Sequence, residues 1–237
     1  MSVASDLLLM NVWTDFRDAF ILNFINDNRY MFLLRGLGIT MQVTIAAILL
    51  GSLIGFVIAF FRLSNSRILK RIASVYIGII RGTPAVVQLL IIYFVVFRSI
   101  NISRVLVAII AFGINSGAYV AEIVRGGILS VDRGQMEAGR SLGLSYYQTM
   151  YYIIIPQALK NIFPAMVNEF IVLLKETAIV GYIALEDLTK GADIIRSRTY
   201  DPVLPLMAAA VIYLLLTTTL SRVMGIWERR LRQGDQH

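Results

Sequence analysis

Residues Leu37–Phe61 read L-G-I-T-M-Q-V-T-I-A-A-I-L-L-G-S-L-I-G-F-V-I-A-F-F, a stretch with no charged side chain. About 20 predominantly apolar residues suffice for a helix to cross a bilayer, so this run predicts a spanning helix. Four more candidates follow it: Ile72–Phe97, interrupted by Arg81-Gly82-Thr83-Pro84; Val105–Val124; Tyr151–Ile183, interrupted around Pro164 and by several charges; and Val203–Met224. Composition agrees with this reading. The 237 residues are 57% hydrophobic and 16% charged, with a mean hydropathy of +0.72, whereas soluble domains carry roughly 25% charged residues. The expectation is an all-α integral membrane protein with five transmembrane helices in a single domain over residues 29–228.

The flanking cations orient the spans, because Lys and Arg collect on the cytoplasmic side. The turn after the first span holds Arg62, Arg67, Lys70 and Arg71 and no acid. Arg125, Arg133 and Arg140 follow the third span, and Arg222, Arg229, Arg230 and Arg232 lie at the C-terminal end. Five spans put these 11 cations on one side against 8 on the other (Arg17, Arg29, Arg35, Arg98, Arg104, Lys190, Arg196 and Arg198). The predicted topology is N-out/C-in, with residues 229–237 as a cytoplasmic tail. Ahead of the spans, Leu9, Trp13, Phe16, Phe20 and Phe24 recur at helical spacing among Asp6, Asp15, Arg17 and Asp18. Residues 1–28 therefore read as an amphipathic segment lying in the interface, and not as a signal peptide.

Several chemistries are excluded. There is no Cys, so thiolate metal sites, disulfides and Cys nucleophiles are absent; the only His is His237, the last residue. No G-x-x-x-x-G-K-[ST] phosphate loop occurs, so ATP and Mg²⁺, if used, belong to another subunit and this chain holds no cofactor. The net charge of +7 sits beside apolar runs, which suits membrane lipid headgroups and not nucleic acid.

The segment Arg125–Tyr151 is too polar to span, yet it is not linker-like. Ser130 or Asp132 can cap a short helix that Gly143 stops, and Ser145 can cap the next. Two short helices joined by a glycine suit either a docking knob or a plain structural loop. Within and after it, Glu137-Ala138-Gly139, three residues, Gly143, nine residues and Ile153-Ile154-Ile155-Pro156 resemble the EAA loop of ABC importer permeases. Gly139 replaces the second Ala of that pattern and Ile155 its Leu. Arg81-Gly82-Thr83-Pro84 with Gln88-Leu89-Leu90, and Asn168-Glu169-Phe170 with Leu173-Leu174-Lys175, are similar to the polar-amino-acid (histidine/glutamine/arginine) type, and the resemblance runs from about Arg35 to Arg232.

This resemblance implies a type I ABC importer permease fold in a bacterial inner (cytoplasmic) membrane. It implies three protein partners: an ATP-binding cassette ATPase, a second permease forming a homo- or heterodimer, and an extracytoplasmic solute-binding protein. It makes residues of about 125–156 the coupling loop, with Glu137, Ala138, Gly139, Gly143, Ile153 and Pro156 as its ATPase-coupling positions. The polar amino acid would cross by alternating access.

Ionisable residues at membrane depth cost ~2.5–3.5 kcal/mol on insertion scales and therefore face protein or water. Arg81 precedes Gly-Thr-Pro, which weakens the helix; it can bind a substrate carboxylate or pair internally with Glu169 or Glu176. Glu169 and Glu176 are seven apart and share a helix face, with Asn168 and Lys175 on a neighbouring one. Asn115, Ser116 and Tyr119 can add neutral hydrogen bonds. The candidate substrate-binding set is Arg81, Gln88, Asn115, Tyr119, Glu169, Lys175 and Glu176; the alternative is that the charges satisfy one another. A stand-alone ion-coupled amino-acid transporter with Glu169 or Glu176 carrying the proton is the competing function. An intramembrane enzyme lacks any recognisable nucleophile–base pair.

Overall fold

The computed structural model describes residues 13–233, with side chains through residue 228. Residues 1–12 and 234–237, which include Leu9 of the amphipathic pattern and the end of the tail, lie outside the described residues. Every regular element described is helical. Helix α1 covers residues 13–20 and widens into a π turn over Ile21–Ile25. The long α2 (Tyr30–Leu63) is followed by α3 (Arg67–Arg81) and α4 (Ala85–Ile91), the last continuing as a π turn through Ile92–Val96. Next come α5 (Arg104–Leu129), α6 (Arg133–Ser141) and α7 (Tyr146–Thr149). A π turn over Met150–Ile154 then leads into α8 (Ile155–Glu176). A 3₁₀ segment Thr177–Ile183, α9 (Leu188–Thr199) and α10 (Val203–Gln233) complete the order.

Three helices are long and apolar enough to cross a membrane: α2, α5 and residues Val203–Glu228 of α10. The pair α3 and α4, bent by 103°, makes a fourth if the two are one span. The fifth expected span is α8, where Gln157, Lys160, Asn161, Asn168, Glu169, Lys175 and Glu176 interrupt the apolar residues. The interruption expected around Pro164 is not there: α8 runs through that residue unbroken. Proline removes one backbone donor, a loss that helices in apolar surroundings absorb locally. The irregularity falls instead at Thr177, where the helix tightens to 3₁₀.

The described chain forms two compact units. The first comprises residues 13–42 with Ala178–Leu216, and the second Val43–Thr177 with residues 217–233; α2 and α10 contribute to both. In the first unit, Phe24, Leu33, Leu188, Ala192, Ile195 and Ala209 form the core. Two glycines bring α2 and α9 into backbone contact: a Cβ on Gly36 would meet the Asp187 carbonyl oxygen at 2.4 Å, and one on Gly191 the Phe32 carbonyl oxygen at 2.5 Å. Asp187 is fully buried and caps α9, accepting from the backbone of Thr189 at 3.2 Å and of Lys190 at 2.9 Å. Tyr213 adds a donor to the same carboxylate at 3.4 Å. Burial pushes the Asp187 carboxyl above the usual carboxylate range, while these bonds pull it back.

In the second unit α5 is the central helix, with thirteen of its residues buried, and it packs against α8 and α3. The Gly51-x-x-x-Gly55 of α2 does permit a close crossing. A Cβ on Gly51 would lie 2.9 Å from the Ser116 Cβ, and one on Gly55 would lie 2.5 Å from Val120. The opposing helix answers with its own pair, Gly113 and Gly117, which face Leu50 and Ile54.

Candidate functional site

The break between α3 and α4 follows from Pro84. Proline has no N–H, so the Ile80 carbonyl loses its helical donor. Gln88 replaces that donor: its amide gives hydrogen bonds to Ile80 O at 2.7 Å, Thr83 O at 3.1 Å and Thr83 Oγ1 at 2.8 Å. Thr83 Oγ1 in turn donates to Ile79 O at 2.9 Å. The remaining acceptor of Gln88, Oε1, takes a 2.9 Å bond from Asn115 Nδ2. Of the candidate substrate residues, Gln88 and Asn115 are therefore committed to holding the bend open.

Arg81, the last residue of α3, is exposed. Its guanidinium lies over the Tyr119 ring, 5.2 Å from the centroid, a cation–π contact with α5. Of the two readings for Arg81, the internal ion pair is not seen: neither Glu169 nor Glu176 makes a salt bridge among the described residues. Glu169 is buried and accepts a 2.9 Å hydrogen bond from Ser116 Oγ, one turn of α5 before Tyr119. Glu176 is half-buried two turns further along α8, while Asn168 and Lys175 point outward on the neighbouring face. Ser116, Tyr119 and Glu122 thus form an i, i+3 row along α5. Its last member is engaged by Arg125 at 2.7 Å and by Arg62 at 3.7 Å. The result is a ridge carrying the Arg81 guanidinium and the Glu169 and Glu176 carboxylates, none of which forms a salt bridge among the described residues.

The polar loop folds as two capped helices. Asp132 caps α6 by accepting from Gly134 N at 2.6 Å. Ser145 and Gln148 form a reciprocal capping box that starts α7. Gly143 adopts φ +86°, the left-handed conformation that ends α6 without strain. Gly139 is buried, and a Cβ there would lie 2.6 Å from the Thr149 side chain and 3.0 Å from Ile153. Glu137 and Ala138 are exposed, as are Leu142, Tyr146, Tyr147, Tyr151 and Tyr152 further along the same segment.

Two bonds tie the loop to α8, and sequence reasoning missed both. Gln157 Nε2 donates to Gln135 Oε1 at 3.3 Å, and Asn161 Nδ2 donates to Ser130 Oγ at 2.9 Å. Nothing in residue type flags them, since isolated amides on a helix are common. The Gly113–Gly117 pair, by contrast, has a spacing readable in the sequence.

Residues 47–233 match the family of binding-protein-dependent transport system inner membrane components. The chain belongs to this family. It is a membrane permease component, not an enzyme, and resides in the inner membrane. Similar proteins include the arginine transport system permease protein ArtQ of Bacillus subtilis (strain 168), 39% identical over 206 residues, covering 86% of this chain and 94% of that protein. The glutamine transport system permease protein GlnP of Escherichia coli (strain K12) is 36% identical over 203 residues, covering 84% and 93%. An amino acid ABC transporter crystallised with histidines matches with a TM-score of 0.81 at 47% identity, covering 87% of this chain and 98% of that one. The MetNI methionine ABC transporter in an inward-facing conformation shares the fold, with a TM-score of 0.72 at 21% identity over 85% of this chain and 96% of that one.

Proposed function

We propose that this chain is the translocation subunit of an ATP-driven, binding-protein-dependent importer of polar amino acids. The observation that carries the proposal is the loop at residues 125–156. It presents Glu137 and Ala138 outward on a short rigid helix whose back, Gly139, is packed on Thr149 and Ile153. Such a helix can seat in a groove of a separate ATPase and pass on its closure as a push. In this reading ATP and Mg²⁺ stay on that partner. Five spans (α2, the bent α3–α4 pair, α5, α8 and α10) run N-out/C-in through a permease domain of residues 29–228. Residues 1–28 lie in the interface and 229–237 form the tail. A second permease, identical or related, completes the pathway, and an external solute-binding protein delivers the substrate.

The ridge of α5 and α8 suits a zwitterion. Arg81 offers donors for the carboxylate, and Glu169 with Glu176 offers acceptors for the ammonium. Lys175 and Tyr119 border the ridge. Gln88 and Asn115 act indirectly by keeping the α3–α4 bend open.

The experiment is reconstitution with the ATPase and binding protein in vesicles. Glu137→Ala or Gly143→Val should abolish ATP-dependent uptake and weaken ATPase assembly. Uptake driven by an ion gradient without any ATPase would instead establish the chain as a stand-alone carrier.

A further inference from the structure

Helix α3 begins as an unusually divided surface. Ile68, Ile72, Val75 and Ile79 recur at four-, three- and four-residue steps and are all exposed, at 72%, 52%, 54% and 60%. That is one continuous apolar stripe along the helix. Beside it, within the first two turns, stand Arg67, Lys70 and Arg71, all exposed. Arg62, at the end of α2, donates to Ser74 at 2.9 Å, yet its Nε is buried without a hydrogen-bond partner. Ser64 and Ser66 in the intervening turn add hydroxyls, and Ser66 caps α3.

Among the described residues, no carboxylate pairs with Arg67, Lys70 or Arg71. Asp and Glu are absent from the chain between Asp27 and Glu122, and Glu122 is taken by Arg62 and Arg125. By contrast, Lys190 and Arg196 on α9 both pair with Asp193. A triad of unanswered cations directly flanking an uncovered apolar stripe is complementary to one kind of molecule, an acidic head joined to hydrocarbon.

We propose that the α2–α3 turn is a binding site for an anionic phospholipid. Arg67, Lys70 and Arg71 hold the headgroup phosphate, and the Ile68–Ile72–Val75–Ile79 stripe lies along the acyl chains. Arginine and lysine at the headgroup level each add attraction to an anionic lipid, and adjacent apolar surface fixes the depth. The site rests on α3 lying in the membrane and is separate from the substrate ridge.

The test uses the complete complex with its ATPase. Titration with phosphatidylglycerol in mixed micelles, with phosphatidylcholine and inorganic phosphate as parallel arms, measures the affinity. The variant Arg67→Gln/Lys70→Gln/Arg71→Gln is compared with the wild type; its changes are exposed and leave the core untouched. The wild type should bind phosphatidylglycerol selectively, and the variant should lose affinity on the order of a hundredfold, about fivefold per cation. Equal binding of phosphatidylcholine, tighter binding of inorganic phosphate than of lipid, or an unchanged affinity in the variant would each overturn the site. So would loss of permease pairing in the variant with lipid affinity intact, since the triad would then serve a second copy. Failure of transport in every lipid would speak against the importer reading and leave this measurement standing.

Discussion

Ser116 on α5 donates its hydroxyl to the buried carboxylate of Glu169 on α8 at 2.9 Å. This one bond links the central helix of the second unit to the helix that begins at the polar loop. Among the described residues, no other hydrogen bond reaches the Glu169 carboxylate. Hydrogen bonds to charged groups contribute about 1.5–3 kcal/mol. Ser116→Ala should therefore lower amino-acid uptake by roughly ten- to a hundredfold at constant ATPase assembly. Glu169→Gln should lower it further. Concentration-dependent uptake in vesicles separates the two, and unchanged uptake in both variants would remove Glu169 from the substrate path.

Gln88 is committed to the backbone of the α3–α4 bend. Gln88→Leu leaves the Ile80 carbonyl without a donor, a loss of about 1–3 kcal/mol for a buried polar group. The thermal midpoint in detergent should fall. A variant with wild-type stability and weakened substrate binding would return Gln88 to the substrate site.

Gly36 and Gly191 permit backbone contact between α2 and α9. An added methyl meets a carbonyl oxygen that cannot swing aside, and overpacking of this kind costs about 1–3 kcal/mol. Gly191→Ala should lower the unfolding midpoint, whereas Gly126→Ala, with open space around its position, should not. Differential scanning fluorimetry decides between them.

Gln157 and Asn161 tie α8 to the polar loop through Gln135 and Ser130. If the loop drives α8, then Gln157→Leu/Asn161→Leu should leave ATP hydrolysis near wild type and reduce the amino acid moved per ATP several-fold. Parallel loss of both activities would show that these amides only support assembly.

Asp187 is buried at the start of α9, and burial raises its carboxyl pKa. A group whose folded pKa lies above its unfolded value, ~3.9 for Asp, stabilises the fold fully below the unfolded pKa. That contribution is lost as pH rises through the folded one. The wild-type midpoint relative to Asp187→Asn, which keeps a capping oxygen but does not ionise, should thus decline as pH rises across the acid range. A difference that stays flat with pH would show that the capping bonds cancel the cost of burial.

The sequence by itself determined the solvent and the family. Twenty-five uncharged residues at Leu37–Phe61 require lipid, because the hydrocarbon core has a fixed thickness. The spaced Glu137–Gly143–Pro156 pattern, the helix stop at Gly143 and the weakness at Gly82-Thr83-Pro84 were equally legible, since glycine and proline act through their own backbone. The partners of polar side chains were not. Pro164 breaks nothing, Arg81 rests on Tyr119 and not on a carboxylate, and Gln88 and Asn115 serve the bend. The Arg81–Tyr119 and Asn115–Gln88 contacts join residues 38 and 27 positions apart, a pairing set by which helices pack together. Only tertiary packing decided that Ser116, and no cation, would lie beside Glu169, because Gly51, Gly55, Gly113 and Gly117 bring α2 close against α5 and α8 packs along it.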